Sequence, residues 1–150
     1  MDDIPRRDLR RYLVSASEDL SLAVTLTMKQ QDGPTTIDEI LASQNLRHFI
    51  NRFSKRAFGN ASSRHGRRVS VIPVLERSYA GRWHYHLAMA NPFPTLGECD
   101  LAIRECWAKT RWGYNEIDIQ PLHNRVGWIN YITKSRDTGG WDIENTHLVR

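Results

Sequence analysis

Two adjoining strand-like runs constrain the fold of this 150-residue sequence more than any other feature. The first run is "VSVIPVLE" (69–76), and "RWHYHLAM" (82–89) follows after the short "SYAG" turn. Apolar and β-branched runs joined in this way predict a β-hairpin. Because side chains alternate across a strand, His84 and His86 would share one face of the hairpin, and Tyr85 would lie on the other. One face therefore has the composition of a core, and the other presents two imidazoles.

Periodicity elsewhere in the chain predicts the remaining strands and helices. In chain order they are a short lead-in helix over 8–14, a strand over 22–29, a helix over 37–58, the hairpin, a helix from the capping box of Thr95 and Glu98 to about Trp112, a strand over 115–122 and a helix over 123–135. The order β-α-β-β-α-β-α predicts an α+β fold with a ferredoxin-like, RRM-like antiparallel sheet. We expect the helices on one sheet face and a functional site on the opposite, exposed face. No repeat or long linker divides the sequence, so we expect a single domain over residues 1–150.

The charge of the chain is positive and unevenly distributed. The formal net charge is +4 at pH 7 and the pI is near 9.3, which favours an anionic partner. Basic residues are concentrated between Arg47 and Arg68, a stretch without Asp or Glu. A solvated helix face followed by a loop would show the same composition, so this stretch alone does not identify the partner.

The cysteines and the apolar segments indicate the compartment. Cys99 and Cys106 lie seven residues apart on one predicted helix, a spacing that fits neither a metal knuckle nor a disulfide framework. A reduced, cytoplasmic protein is the simpler interpretation. No stretch approaches the ~18 apolar residues of a membrane span, and the N-terminus lacks an apolar signal core. We therefore expect neither export nor membrane insertion.

The predicted hairpin contains a candidate metal site. A lone His-x-His is weak evidence, because polar pairs are common on the open face of a sheet. If the turn centres on Tyr79 and Ala80, however, Glu76 lies opposite His84, on the same face as His86. Two imidazoles and one carboxylate suit a divalent cation that keeps open positions for water and substrate. This ligand set is typical of a catalytic rather than a structural site.

The last predicted helix contains a candidate nucleophile. Tyr131 and Lys134 are one helical turn apart, so both side chains would point to nearly the same side. An ordinary amphipathic helix with a surface tyrosine and lysine would show the same pair. In a catalytic interpretation, Tyr131 is a nucleophile and Lys134 supplies the nearby positive charge that a phenol needs at neutral pH.

Together these motifs resemble those of HUH endonucleases, specifically the rolling-circle replication initiators with one catalytic tyrosine. The matching motifs are, in order, "TLT" (25–27), Glu76, "HYH" (84–86) and "YITK" (131–134). Relaxases place the tyrosine before the histidines, so the order here does not resemble theirs. The resemblance extends over residues 22–135, which is nearly the whole predicted domain.

The resemblance implies a reaction and a role for each motif. Mn²⁺ or Mg²⁺ would be bound by Glu76, His84 and His86, and Tyr131 would attack a phosphate of single-stranded or hairpin origin DNA, assisted by Lys134. A 5′-phosphotyrosine link would form, and a free 3′ hydroxyl would be released. Trp83 or Trp128 would be a candidate stacking platform for bases. The candidate contacts to DNA phosphates are Arg52, Lys55, Arg56, Arg64, Arg67 and Arg68.

Three other functions use some of the same features. A transposase of the same superfamily would use the same metal and tyrosine to move an element. A non-catalytic RNA- or single-strand-binding module on this scaffold would need aromatic side chains on the open sheet face. A zinc-dependent hydrolase would leave the "YITK" motif unexplained. The sequence contains no P-loop, so the helicase that an initiator requires would be a separate protein or part of a longer chain.

Overall fold

A computed structural model describes residues 6–78, 81–133 and 140–148 of the chain. These residues confirm the predicted order of the strands and helices and add short elements to it. In chain order the elements are α1 (Arg6–Ser15), β1 (Leu22–Met28), β2 (Gln31–Asp32), β3 (Thr35–Thr36), α2 (Glu39–Phe58), α3 (Asn60–His65), β4 (Val71–Arg77), β5 (Trp83–Met89), α4 (Leu96–Ala108), β6 (Gly113–Pro121), α5 (Arg125–Ile132) and a 3-10 helix (Ile143–Asn145).

The main sheet has the strand order and directions of a ferredoxin-like fold. Its order is β4-β5-β1-β6, and each neighbouring pair of strands is antiparallel. The hairpin strands β4 and β5 are joined through β1 to the last strand, β6. This arrangement confirms the α+β, ferredoxin-like prediction and places the histidine strand β5 in the interior of the sheet.

Helices α2 and α4 cover one face of the sheet, which we call the core face. Along β1 every second side chain is buried, as expected for a strand with one face packed on a core. The aromatic rings of Phe49 on α2 and Trp107 on α4 meet edge to face, with centroids 5.7 Å apart. Tyr85 of β5 is fully buried in the same apolar cluster. Thr95 caps α4 as predicted, because its hydroxyl accepts a hydrogen bond from the Glu98 amide at 3.1 Å.

The second face, which we call the histidine face, is only partly exposed. The prediction of a wholly open face is wrong for one end of the sheet, where α1 and α5 pack. Leu13 of α1 and Ile129 of α5 are fully buried there, in one cluster with Ile72 and Ala88. A helical period predicts that a helix has a buried stripe but not which sheet face the stripe covers. The remainder of this face carries the histidines.

The segment 140–148 lies along the outer side of β4. Val71 and His147 exchange two backbone hydrogen bonds of 2.7 and 3.1 Å, and Trp141 forms a β-bridge with Val74. The Asp142 carboxylate accepts a 2.7 Å hydrogen bond from the buried Tyr85 hydroxyl. The sequence pattern predicts no element in this segment. The segment adds irregular backbone pairing to the edge of the sheet.

Three short elements lie where the sequence predicted only breakers and loops. Residues 31–36 form the small β2–β3 hairpin, and α3 lies between Gly59 and Gly66. Both glycines have positive φ angles, 58° and 64°, so the chain can change direction sharply before and after α3. In addition, α4 ends at Ala108 rather than at the predicted Trp112.

No helix among the described residues is both long enough and apolar enough to cross a membrane.

Candidate metal centre and tyrosine site

The hairpin register brings the predicted metal ligands together. Glu76 is paired with His84 across the two strands, as predicted, although the turn residues Tyr79 and Ala80 lie outside the described residues. One carboxylate oxygen of Glu76 is 3.0 Å from Nε2 of His86 and 3.9 Å from Nε2 of His84. The two Nε2 atoms are 3.2 Å apart. We call these three residues the candidate metal centre.

Hydrogen bonds on the far side of each imidazole direct its Nε2 atom into the centre. The Nδ1 atom of His84 lies 3.4 Å from the Arg82 carbonyl oxygen, which can only accept, so Nδ1 carries the proton in this contact. The Nδ1 atom of His86 lies 3.1 Å from the Thr25 hydroxyl. An Nδ1–H donor leaves the Nε2 lone pair for a cation, which is the usual arrangement of a metal-binding histidine.

The donor set fits a divalent cation. Two nitrogen ligands that each lie about 2.1 Å from one ion, at angles of about 90–110°, are roughly 3.0–3.4 Å apart. The observed 3.2 Å between the Nε2 atoms of His84 and His86 falls in this range. Two lone pairs and a carboxylate that face one another at these distances also repel unless a proton or cation lies between them. The potential ligand atoms of Glu76, His84 and His86 all lie within 4.8 Å of one another.

The centre is accessible from one side. The side chains of His84 and His86 are only 14% and 11% exposed, whereas that of Glu76 is 51% exposed. The imidazoles are therefore held by the sheet, and the carboxylate borders solvent. A bound cation would keep open positions on the Glu76 side for water or a phosphate oxygen.

The "TLT" run of β1 lies directly beside the histidines. Thr25 is paired with His86, and Thr27 is paired with His84. The resemblance includes this run as a motif but implies no role for Thr25. Strand alternation within "TLT" places both threonines on one face, but the sequence does not show that β1 is the neighbour of β5.

Helix α5 brings Tyr131 to the candidate metal centre. The ring centroids of Tyr131 and His86 are 6.0 Å apart, and Tyr131 is 47% exposed. Asn124 caps the helix through a 2.9 Å hydrogen bond from the Gly127 amide. The predicted partner Lys134 lies outside the described residues. The tyrosine is thus beside the candidate metal centre and exposed to solvent.

The other tyrosine of the histidine strand is buried on the core face, as predicted. Burial and the neighbouring Asp142 carboxylate raise the pKa of Tyr85 well above the ordinary tyrosine value. Its hydroxyl donates to that carboxylate and has no access to the candidate metal centre. Tyr85 therefore has a structural role.

The predicted phosphate contacts do not lie beside the candidate metal centre. Arg52, Lys55 and Arg56 are exposed on α2, which covers the core face, so the sheet separates them from the histidines. Arg56 forms an ion pair with Glu105 of α4. The six predicted phosphate contacts are all exposed, on α2, on α3 or just after α3, and we call them the basic surface: Arg52, Lys55, Arg56, Arg64, Arg67 and Arg68.

The two candidate stacking residues differ in their surroundings. Trp83 packs against the core cluster, and the Arg77 guanidinium lies 5.3 Å from the centre of its ring. Trp128 lies on the histidine face, where its indole N–H donates to the Leu87 carbonyl at 3.0 Å. Only Trp128 is in contact with the candidate metal centre, through the ring of His86.

Comparison with known proteins gives one family. The family model for replication-associated protein ORF2 matches residues 21–136, which is more than half of the chain and includes the candidate metal centre and Tyr131. No curated protein and no solved structure matches the chain.

Proposed function

The chain belongs to the replication-associated protein ORF2 family, and from this membership we propose that it is a rolling-circle replication initiator that nicks and rejoins single-stranded DNA. Residues 1–150 form one nuclease domain of the HUH type in this proposal, and the substrate is a single-stranded or hairpin origin. The observation that carries the proposal is the position of Tyr131, whose ring lies 6.0 Å from that of His86.

The proposed reaction is a transesterification at one phosphodiester. A divalent ion, Mn²⁺ or Mg²⁺, held by the candidate metal centre would polarise an oxygen of the scissile phosphate. The Tyr131 hydroxyl attacks phosphorus as its proton passes to solvent water, and the bond from phosphorus to the 3′ oxygen breaks. The 3′ oxygen takes up a proton and leaves as a free hydroxyl, while the 5′ phosphate stays esterified to Tyr131. Attack by a 3′ hydroxyl on that ester reverses the step and joins the strand.

Attack by a tyrosine hydroxyl requires a nearby positive charge to stabilise the negative charge that develops on the reacting oxygens. Tyrosine phenols ordinarily have a pKa near 10 and are weak nucleophiles at neutral pH. We assign to Lys134 the neutralisation of negative charge on the attacking oxygen or on the phosphate. This assignment rests on its three-residue spacing from Tyr131 in the sequence.

DNA binding in this proposal uses both sides of the domain. The scissile phosphate lies on the histidine face, and the basic surface neutralises phosphates further along the DNA. Because the sheet separates the two, the bound DNA passes around an edge of the domain. A helicase would be a separate protein or a further part of a longer chain.

The family and the sheet faces favour this function over the alternatives. Membership of a replication-associated family favours replication over transposition. A non-catalytic RNA-binding module needs aromatic side chains on the open sheet face. On β5 that face carries His84 and His86, whereas Tyr85 is buried on the opposite side.

Loss of a metal ligand tests the proposal. We expect His84→Ala and His86→Ala each to abolish Mn²⁺-dependent cleavage of a randomised pool of single-stranded oligonucleotides. Both variants should retain much of their DNA affinity, because affinity comes chiefly from phosphate contacts. His48→Ala is the matched control, since His48 is exposed on α2, on the other side of the sheet. Cleavage by both ligand variants at the parent rate would exclude this metal centre.

A further inference from the structure

Trp128 contacts both halves of the proposed active site. Its ring meets the His86 ring edge to face, with centroids 5.5 Å apart and an interplanar angle of 90°. Its other neighbour is Tyr131, which it stacks against at 5.5 Å with an angle of 17°. One side chain therefore contacts both a candidate metal ligand and the proposed nucleophile, whose rings also contact each other.

A hydrogen bond fixes the position of this ring. The indole N–H donates to the backbone carbonyl of Leu87 at 3.0 Å, and Leu87 is the residue that follows His86 on β5. The bond joins α5, which carries the tyrosine, to the strand that carries the histidines. Helix α5 has only 8 residues, and helices this short depend on tertiary contacts for their stability.

From these contacts we propose that Trp128 is a positioning residue, which holds the Tyr131 phenol at its reactive distance from the candidate metal centre. The inference rests on the proposed function. Stacking on the indole restricts the orientation of the tyrosine ring, and the N–H bond prevents the indole from moving along the strand. A displacement of about 1 Å between reacting groups can cost roughly 10²-fold in rate.

This role differs from that of a stacking platform for bases. Tyr131 stacks on one face of the Trp128 ring, His86 meets the ring edge to face, and the indole N–H is bonded to β5. A platform contributes to DNA affinity, at about 1–3 kcal/mol per stacked base. A positioning residue instead affects the rate of attack on bound DNA, so the two roles are separable by experiment.

The test compares Trp128→Leu and Trp128→Phe with the parent. The probe is the randomised single-stranded pool, and the rate of covalent adduct formation is measured at saturating DNA and Mn²⁺. We expect Trp128→Leu to lower this rate about 10²-fold. Trp128→Phe keeps a ring for stacking and should recover most of the loss. DNA affinity, measured in a Tyr131→Phe background, and Mn²⁺ affinity, measured by calorimetry, should change less than threefold in both variants.

Trp141→Leu is the matched control. Trp141 is a partly buried tryptophan that packs against the same apolar cluster as Trp128, but it lies in the segment 140–148. We expect this variant to lose thermal stability while the adduct rate below its unfolding temperature stays at the parent value.

Each other outcome has one meaning. A parent rate in Trp128→Leu overturns the inference alone, as does a loss confined to DNA affinity, which would make Trp128 a stacking platform. An equal loss of rate in Trp141→Leu would show that only the stability of the cluster matters, and it also overturns the inference. If the parent itself forms no adduct, the proposed function fails and the inference fails with it.

Discussion

The Thr25 hydroxyl lies 3.1 Å from Nδ1 of His86, on the side of the imidazole that faces away from Glu76. A partner in this position sets the tautomer and orientation of a ligand histidine. The threonine belongs to the neighbouring strand β1, so the candidate metal centre is supported by a third strand in addition to the hairpin that carries its ligands.

Removal of this hydroxyl should weaken metal binding. Thr25→Val keeps the branched shape of the side chain but leaves Nδ1 of His86 without its partner on β1. We expect Mn²⁺ affinity, measured by calorimetry, to fall about 10–100-fold. Thr27→Val is the control, because within the described residues the Thr27 hydroxyl makes no hydrogen bond to a histidine. Equal affinity in Thr25→Val and the parent would show that the contact does not support the ligand.

The raised pKa of Tyr85 predicts how the free energy of unfolding depends on pH in the alkaline range. Burial and the Asp142 carboxylate raise the pKa of Tyr85 in the folded state. Above about pH 10 the unfolded chain releases this proton and the folded chain keeps it, so the free energy of unfolding falls as pH rises, by up to about 1.4 kcal/mol per pH unit. Below about pH 10 the contribution is fully present. Tyr85→Phe should remove this part of the pH dependence.

Urea unfolding of the parent and of Tyr85→Phe between pH 8 and 11 measures the effect. Burial raises the pKa of the Cys99 thiol to about 12, so Cys99 also lowers stability in this range, but equally in both proteins. The exposed Tyr12→Phe serves as control and should keep the parent slope. Identical slopes in the parent and Tyr85→Phe would mean that Tyr85 ionises in the folded state at an ordinary pH.

Gly113 is required by a close approach between β6 and the end of α4. A Cβ atom added there would lie 1.9 Å from the Trp107 carbonyl oxygen and 2.8 Å from the Thr110 hydroxyl. We expect Gly113→Ala to lower the free energy of unfolding by about 3 kcal/mol or more, because backbone must move. Gly97→Ala in α4 meets no atom within 4 Å and should be neutral or stabilising by up to ~1 kcal/mol. Equal unfolding midpoints for both variants would contradict this packing.

The basic surface predicts a salt dependence of DNA binding. The double variant Arg52→Gln, Lys55→Gln should bind DNA more weakly. The log–log slope of its binding constant against salt concentration should flatten by roughly one unit per lost phosphate contact. Arg7 and Arg11, which are exposed on α1, provide a control pair of equal charge. Titrations across salt concentrations measure both slopes. An unchanged slope in the Arg52 and Lys55 variant would mean that the basic surface is a solvated helix face.

The sequence was sufficient to predict the hairpin and the pairing of Glu76 with His84. Strand alternation and the length of the turn together predict that Glu76 faces His84, and the register confirms it. The capping-box spacing of Thr95 and Glu98 likewise predicts the start of α4, which begins after Thr95 as expected. These features depend on residues close in the chain, where local geometry determines which side chains meet.

The features that the sequence did not predict depend on distant contacts. The bond between Thr25 and His86 joins residues 61 positions apart, and nothing in either strand specifies its neighbour. Asp142, which accepts a hydrogen bond from the Tyr85 hydroxyl, lies in an irregular segment without periodicity. Tertiary packing also determines which sheet face α5 covers. That packing brings Trp128 into contact with His86.

Covalent capture of DNA by Tyr131 is the most direct test of the proposed chemistry. The protein is incubated with Mn²⁺ and the randomised single-stranded pool, denatured, digested and analysed by mass spectrometry. We expect a DNA fragment, attached through its 5′ phosphate, on the peptide that contains Tyr131. Tyr131→Phe removes only the hydroxyl and should form no adduct, whereas Tyr114→Phe, at an exposed tyrosine of β6, should form as much as the parent. An adduct that persists in Tyr131→Phe, or its absence from the parent, would contradict attack by this tyrosine.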